Sequence, residues 1–326
     1  MMFEYILNFP NQLEQGIDIY ERSKIKLDSN QIHNIVITGM GGSGIGGTFV
    51  AEYVLPFSKI PVFVNKSYQL PAFVNENTLV IASSYSGNTE ETLQCVEQAL
   101  KQKSHLVAIT SGGKLEELAR EYRFPVILLP KGFPPRTCLG YSFVQILGIF
   151  EKVGIINGDW KEKIYVSAKL LREEQNHIRE KAQDIAQKIF KTFPIIYSLH
   201  SEALAWRLRQ QLNENSKVLC SYHIIPEMNH NEIVGWRVLN AAHSVLVFLT
   251  SADLEQNRKR YFFCKKIFEN YKVPLIELKG MGDSLLEEWM YLVHLSDWIS
   301  YELAVLNNVD AVEVKVIDEL KGYLSR

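Results

Sequence analysis

The stretch Thr78-Leu79-Val80-Ile81-Ala82-Ser83-Ser84-Tyr85-Ser86-Gly87-Asn88-Thr89-Glu90 decides the fold of this chain. Residues 78–82 form a short apolar run typical of a buried strand, and residues 91–101 read as a helix, so the hydroxyls fall in the turn between them. Ser84, Ser86 and Thr89 lie in that turn beside the N–H groups that a first helical turn leaves without partners, with the positive end of the helix dipole behind them. Such a turn binds an anion, most often phosphate. One hydroxyl alone would read as a helix cap; three with Gly87 among them favour a phosphate site.

Upstream, Asn34-Ile35-Val36-Ile37-Thr38 reads as a strand. It leads into the glycine-rich turn Gly39-Met40-Gly41-Gly42-Ser43-Gly44-Ile45-Gly46-Gly47, which opens a helix to about residue 55. The turn contains Gly39-x-Gly41-x-x-Gly44, the spacing of a dinucleotide fingerprint. That fingerprint also needs an acidic residue at the end of the second strand, and here residues 61–64 end in Asn65-Lys66. Two phosphate-type turns at the carboxyl ends of parallel strands point instead to one small phosphorylated ligand. Strands over 105–110 and 125–130, with a helix over 114–122, complete a doubly wound parallel sheet. Lys131-Gly132-Phe133-Pro134-Pro135-Arg136-Thr137 follows, and its prolines restrict where Arg136 points. Arg136 reads as a cation positioned near the ligand; the alternative is a solvated surface arginine.

Residues up to about 27 have helical spacing, and helices are expected between 143 and 190, including one over 161–190 long enough to bridge two lobes. The pattern then begins again, with strands over 194–198, 217–220, 243–250 and 274–278 and helices over 202–212, 253–271 and 285–306. The expected fold class is therefore α/β, a duplicated doubly wound parallel sheet, with domains over 1–155 and 156–326. In the second copy His200-Ser201-Glu202 replaces the glycines and Ser251-Ala252-Asp253 the hydroxyls. The first domain is expected to bind phosphate, and the second to supply catalytic groups.

The loop Ile225-Pro226-Glu227-Met228-Asn229-His230-Asn231-Glu232-Ile233-Val234-Gly235-Trp236 is dense in ionisable groups. Pro226 limits the backbone before Glu227, and the flanking Ile224, Ile225 and Met228 are expected to desolvate its carboxylate and suit it to general-base work. A metal site on Glu227, His230 and Glu232 fits no helical ligand motif, and helix capping by Glu227 is the structural alternative. His243, at the start of the next strand, is placed either to move a proton or to serve structurally.

Composition excludes several classes. Of 326 residues, 47% are hydrophobic and 22% charged, as in soluble globular proteins, which argues against disorder and a membrane span. A net charge of −2 gives no electrostatic reason to expect nucleic acid or an anionic membrane as partner. Cys95, Cys138, Cys220 and Cys264 have no metal-ligand spacing and read as reduced thiols of a cytoplasmic protein; the N-terminal Met1-Met2-Phe3-Glu4-Tyr5 does not read as a secretory signal.

Gly41-Gly42-Ser43-Gly44, Ser84-Tyr85-Ser86-Gly87-Asn88-Thr89, Pro134-Pro135-Arg136, Pro226-Glu227-Met228-Asn229-His230-Asn231 and Leu320-Lys321 together resemble the bifunctional phosphoglucose/phosphomannose isomerases, built from two sugar isomerase (SIS) domains. The resemblance spans nearly the whole chain. It implies that Gly42, Ser43, Ser84, Ser86 and Thr89 cradle the substrate phosphate, that Arg136 stabilises an enediolate, and that Glu227 moves a proton between C1 and C2. His243 and Lys321 would open the sugar ring, the histidine coming from a neighbouring subunit of a homodimer with shared active sites. The implied activity interconverts glucose 6-phosphate, and also mannose 6-phosphate, with fructose 6-phosphate, without metal or organic cofactor. Residues 312–317 carry no hydroxyl where the bifunctional members have a threonine associated with room for the mannose epimer. The competing readings are a non-catalytic sugar-phosphate-binding regulator, against which Glu227 and Arg136 argue, and amino-sugar chemistry, for which no glutaminase half is present.

Overall fold

A computed structural model describes residues 1–23, 25–239 and 242–324. The chain divides into two compact units, Asn8–Lys169 and Met1–Leu7 with Leu170–Arg326. Helix α1 (Met2–Leu7) belongs to the second unit and α2 (Phe9–Arg22) opens the first. This corrects the single helix expected up to residue 27. Pro10 has no N–H to donate and is accommodated in the first turn of a helix, so a new helix starts just before it.

The first unit continues with β1 (Asn34–Thr38), α3 (Gly41–Val54), β2 (Val62–Asn65), β3 (Thr78–Ser83), α4 (Glu90–Lys101), β4 (His105–Thr110), α5 (Gly113–Tyr122), β5 (Val126–Leu128), α6 (Leu139–Val153) and most of α7 (Asp159–Glu173), whose last residues, from Leu170, belong to the second unit. Its sheet has the order β2-β1-β3-β4-β5, all parallel. The strand order reverses between β1 and β3, so the turns leaving these two neighbours flank a crevice at the carboxyl edge. On one face Val36, Val80, Ala82, Leu106 and Ala108 pack against Val96 and Ala99 of α4 and Leu115 and Leu118 of α5. Helix α6 packs against α2 and α3 and is buried on nearly every side, which its largely apolar sequence permits, with the buried Ser142 and Gln145 side chains donating to the Leu139 and Gly16 carbonyls. Burial of each large apolar side chain such as Leu147 or Phe150 contributes roughly 1.5–3 kcal/mol.

The second unit holds α8 (Gln175–Ile189), β6 (Phe193–Ser198), α9 (Glu202–Glu214), β7 (Ser221–Ile224), β8 (His243–Leu249), α10 (Glu255–Asn270), β9 (Leu275–Lys279), α11 (Leu285–Leu306) and α12 (Lys315–Leu324). The parallel sheet order β7-β6-β8-β9 repeats β2-β1-β3-β4, which establishes the duplication. Tyr197, Val245 and Val247 meet Tyr261, Cys264 and Phe268 of α10 on one face. Helix α11 packs against α8 and α9, where buried Arg207 grips Asp297 with Nε (3.1 Å) and Nη2 (2.9 Å) and Gln211 Nε2 adds a third donor at 2.8 Å. A buried ion pair needs this degree of satisfaction to offset its desolvation.

Three expectations are corrected in this half. The helix over 161–190 is two helices, α7 and α8, parted at Glu174, where no proline or glycine marks the break. The strand expected over 217–220 lies instead at Ser221–Ile224. Lys217 has φ +58° and its Nζ donates to the carbonyls of Glu214, Asp310 and Glu313, so the apolar run after it belongs to a turn, with Leu219 exposed. Helix α12 was not anticipated, and none of its residues is buried. Among the described residues, no helix is long and apolar enough to cross a membrane.

Candidate active site

The two turns expected to cradle a phosphate come together within the first unit. The glycine turn leaves β1 and opens α3; the hydroxyl turn leaves β3 and opens α4. Two hydrogen bonds tie them together, Tyr85 N–H to Ser43 Oγ and Ser83 Oγ–H to the Ser43 carbonyl, each 2.9 Å. Ser84 is fully buried and its hydroxyl lies 2.8 Å from Thr89 Oγ1. Thr89 occupies the N-cap of α4 yet turns its hydroxyl to Ser84, and Met40 at the N-cap of α3 has no side-chain acceptor. Neither N-cap residue therefore supplies a side-chain hydrogen bond to its helix. Two helix starts so placed leave N–H groups directed at the crevice, the arrangement that holds an anion. The simple capping reading of Thr89 does not hold. Ser86 is exposed at the rim and its Oγ accepts from Asn88 N–H at 3.2 Å.

Arg136 is brought to the same place. It lies in a 3-10 turn, Pro135–Thr137, and is 96% buried, which rules out the solvated alternative. Its backbone packs directly on the glycine turn, since a Cβ added at Gly42 would meet Arg136 Cα at 2.6 Å. Tyr85, which sequence reasoning did not single out, links the loops: its hydroxyl donates to the Pro130 carbonyl (2.7 Å) and accepts from Phe133 N–H (3.1 Å). Burial pushes that hydroxyl's pKa up to about 12, so it remains a donor. The loop after β4 was missed as well. Asn88 Oδ1 accepts from Lys114 N–H at 3.0 Å, and Gly87, at φ +69°, faces the Gly112 carbonyl too closely for any Cβ. The Ser111-Gly112-Gly113 sequence after a strand was the signal available.

In the second unit the candidate residues are set apart. Glu227 follows the carboxyl end of β7 in a 3-10 turn, Glu227–His230, and is exposed. Its apolar flank does not enclose it: Ile225 and Met228 point into the core instead. His243 is half-buried as the first residue of β8, against Phe193 and Trp236. The register puts His243 opposite Phe193 and Ile224 opposite Ser198, at the two ends of β6. At about 3.3 Å per residue, roughly 17 Å of strand separates those levels. Lys321 lies on α12, exposed, with Nζ 3.3 Å from Asp318 Oδ1. Among the described residues, no group of three or more His, Cys, Asp or Glu side chains is placed to hold a metal ion. Glu232, weighed above as a ligand, is engaged by Tyr197 and by His223 Nδ1 (2.9 Å). Those two partners stand on strands and gave no sequence signal.

Family models match the SIS domain over residues 30–126 and the bacterial phospho-glucose isomerase C-terminal SIS domain over residues 178–324. The chain is 36% identical over 335 residues to the bifunctional phosphoglucose/phosphomannose isomerase of Caldicellulosiruptor bescii, covering 99% of each. The chain belongs to the bifunctional phosphoglucose/phosphomannose isomerase family. A second member of that family, from Aquifex aeolicus, is 38% identical over 94% of this chain and 95% of its own. The isomerase-family fold extends to a solved structure, the C-terminal domain of glucosamine-fructose-6-phosphate aminotransferase from Francisella tularensis, at TM-score 0.75 and 14% identity, covering 95% of this chain and 97% of that one.

Proposed function

We propose that this chain is an aldose-ketose isomerase that interconverts glucose 6-phosphate and mannose 6-phosphate with fructose 6-phosphate through an enediolate. The observation that carries the reading is identity of 36–38% along nearly the full chain with relatives named for both activities. The geometry supports roles for this chain's residues. Ser43, Ser84, Ser86 and Thr89 with the Gly42 backbone hold the phosphate at the starts of α3 and α4. Binding energy taken there, remote from the reacting carbons, fixes C1 and C2 against the base. Glu227 takes the C2 proton of the open-chain aldose and returns it to C1. The charge that develops on oxygen is stabilised by Arg136, held rigid by its prolines.

His243 and Lys321 assist ring opening. The separation of Glu227 and His243 to opposite ends of β6 supports a homodimer in which each active site takes its histidine from the second copy. Cys95, Cys138, Cys220 and Cys264 form no disulfide, which suits the cytoplasm.

The test is a coupled assay of purified protein, in EDTA, converting fructose 6-phosphate separately to each aldose 6-phosphate. Conversion to both is the expected result. Formation of glucose 6-phosphate alone would assign residues 312–316 to narrowing the pocket. Binding without turnover would overturn the isomerase reading in favour of a sugar-phosphate sensor.

A further inference from the structure

We propose that Asn231 is a positioning residue for Glu227, set by a hydrogen-bond relay anchored in β6 and β7. The inference rests on the reading of Glu227 as the general base. A base must be held within hydrogen-bond reach of one particular proton, and a glutamate side chain has three rotatable bonds. Asn231 restrains it: its Nδ2 donates to Glu227 Oε1 at 3.2 Å, while its Oδ1 accepts from Glu232 N–H at 2.6 Å. Turning that amide over would set oxygen against carboxylate and NH2 against N–H, so chemistry permits one orientation.

Glu232, the next residue, is fixed from two sides. Its Oε1 accepts from the Tyr197 hydroxyl and its Oε2 lies 2.9 Å from His223 Nδ1. Tyr197 and His223 are cross-strand neighbours in β6 and β7. Tyr197 is fully buried, stacks on Phe268 at 5.9 Å and accepts from Trp236 Nε1 at 3.2 Å. Burial, and then the Glu232 carboxylate, push the Tyr197 hydroxyl far above its ordinary pKa, so it remains a donor. At the other end of the turn, Asn229 Nδ2 reaches Cys264 Sγ at 3.0 Å and Met228 is buried. The turn is thus pinned after Glu227 at Met228 and Asn229 and again at Glu232, and Asn231 is the side chain that carries this order to the carboxylate.

Steady-state kinetics of variants separate positioning from simple turn formation. Asn231→Ala is expected to lower kcat by roughly 10- to 100-fold with KM for fructose 6-phosphate within about twofold, as misplacement of a reacting group does. Orthophosphate affinity and melting temperature should stay near wild type. Asn231→Asp places a second carboxylate beside Glu227, and like charges favour protonation, so the acid limb of the kcat/KM profile moves to higher pH. A turn-capping role, which Asp fills as well as Asn, would leave the kcat of Asn231→Asp at the wild-type value, whereas loss of the Nδ2 donor lowers it. Glu232→Gln should reproduce the kcat loss of Asn231→Ala. Wild-type kcat in Asn231→Ala, or an unmoved acid limb in Asn231→Asp, overturns the proposal. Glu227→Gln is measured alongside; full turnover there removes the base assignment itself and is distinct from any failure of the Asn231 variants.

Discussion

Replacing Gly42 with alanine tests whether the glycine turn and the Arg136 loop act as one piece. The added Cβ would stand 2.6 Å from Arg136 Cα, 2.8 Å from Arg136 N and 2.9 Å from the Pro135 carbonyl carbon. Contacts to a Cβ are already tight below 3.4 Å, so the two segments must part by about 0.8 Å. The atoms met are backbone and cannot swing aside as the end of a side chain can. Overpacking of this kind costs about 1–3 kcal/mol. For a protein of this size that lowers the melting temperature by roughly 2–4 °C per kcal/mol. The catalytic loss should be larger in proportion: moving a catalytic group by about 1 Å costs on the order of 100-fold in rate, so kcat is expected to fall roughly 30- to 100-fold. The assay is coupled turnover of fructose 6-phosphate together with a thermal melt of the same preparation. Turnover within twofold of wild type would refute the idea that Arg136 is positioned by contact with Gly42.

Removing the two hydroxyls with Ser86→Ala and Thr89→Ala should weaken phosphosugar binding by about a hundredfold or more in calorimetry, since hydrogen bonds to a charged group contribute about 1.5–3 kcal/mol each; unchanged affinity would place the phosphate elsewhere. Glu227→Gln and His243→Ala subunits, each inactive alone, should recover roughly a quarter of wild-type activity when coexpressed as random dimers, because half the dimers then carry one intact shared site. No recovery would mean that each chain completes its own site. Burial lowers the pKa of His294 from its ordinary 6.5 to about 3, so the folded protein holds this ring neutral where the unfolded chain would protonate it. Stability should therefore fall as pH drops from about 6.5 toward about 3, and His294→Phe should flatten that fall by about one proton, close to 1.4 kcal/mol per pH unit. An unchanged slope in chemical denaturation across this window would count against it.

The sheet residues were legible because buried parallel strands are nearly pure apolar runs: β1 and β4 begin and end where the sequence pattern does, as does α11. The edge strand β7 was not, since a half-covered strand such as Ser221-Tyr222-His223-Ile224 carries little apolar signal and the adjacent Val218-Leu219-Cys220 mimics one. Glycines and hydroxyls announced, through local turn chemistry, the two turns that the structure brings together and that are proposed to cradle the phosphate. Tyr85, Tyr197 and His223 stayed hidden because their roles depend on which strands and loops become neighbours. Chain order also concealed that His243 starts β8 at the amino end of the sheet while Glu227 follows β7 at the carboxyl end. Sixteen positions of sequence suggest proximity; the parallel register removes it.

Helices α3 and α4 begin without a hydrogen bond from the side chain of their N-cap residue. A serine or aspartate cap would contribute about 1 kcal/mol to such a helix. On the proposed phosphate site, that part of the fold's cohesion is left to the arriving anion, and a ligand present at 100 times its Kd adds about 2.7 kcal/mol to the folded state. Catalysis and durability then draw on the same few backbone N–H groups. A cell well stocked with sugar phosphate would keep this protein folded longer than a starved one, so the supply of substrate would govern the lifetime of the molecule as well as its rate.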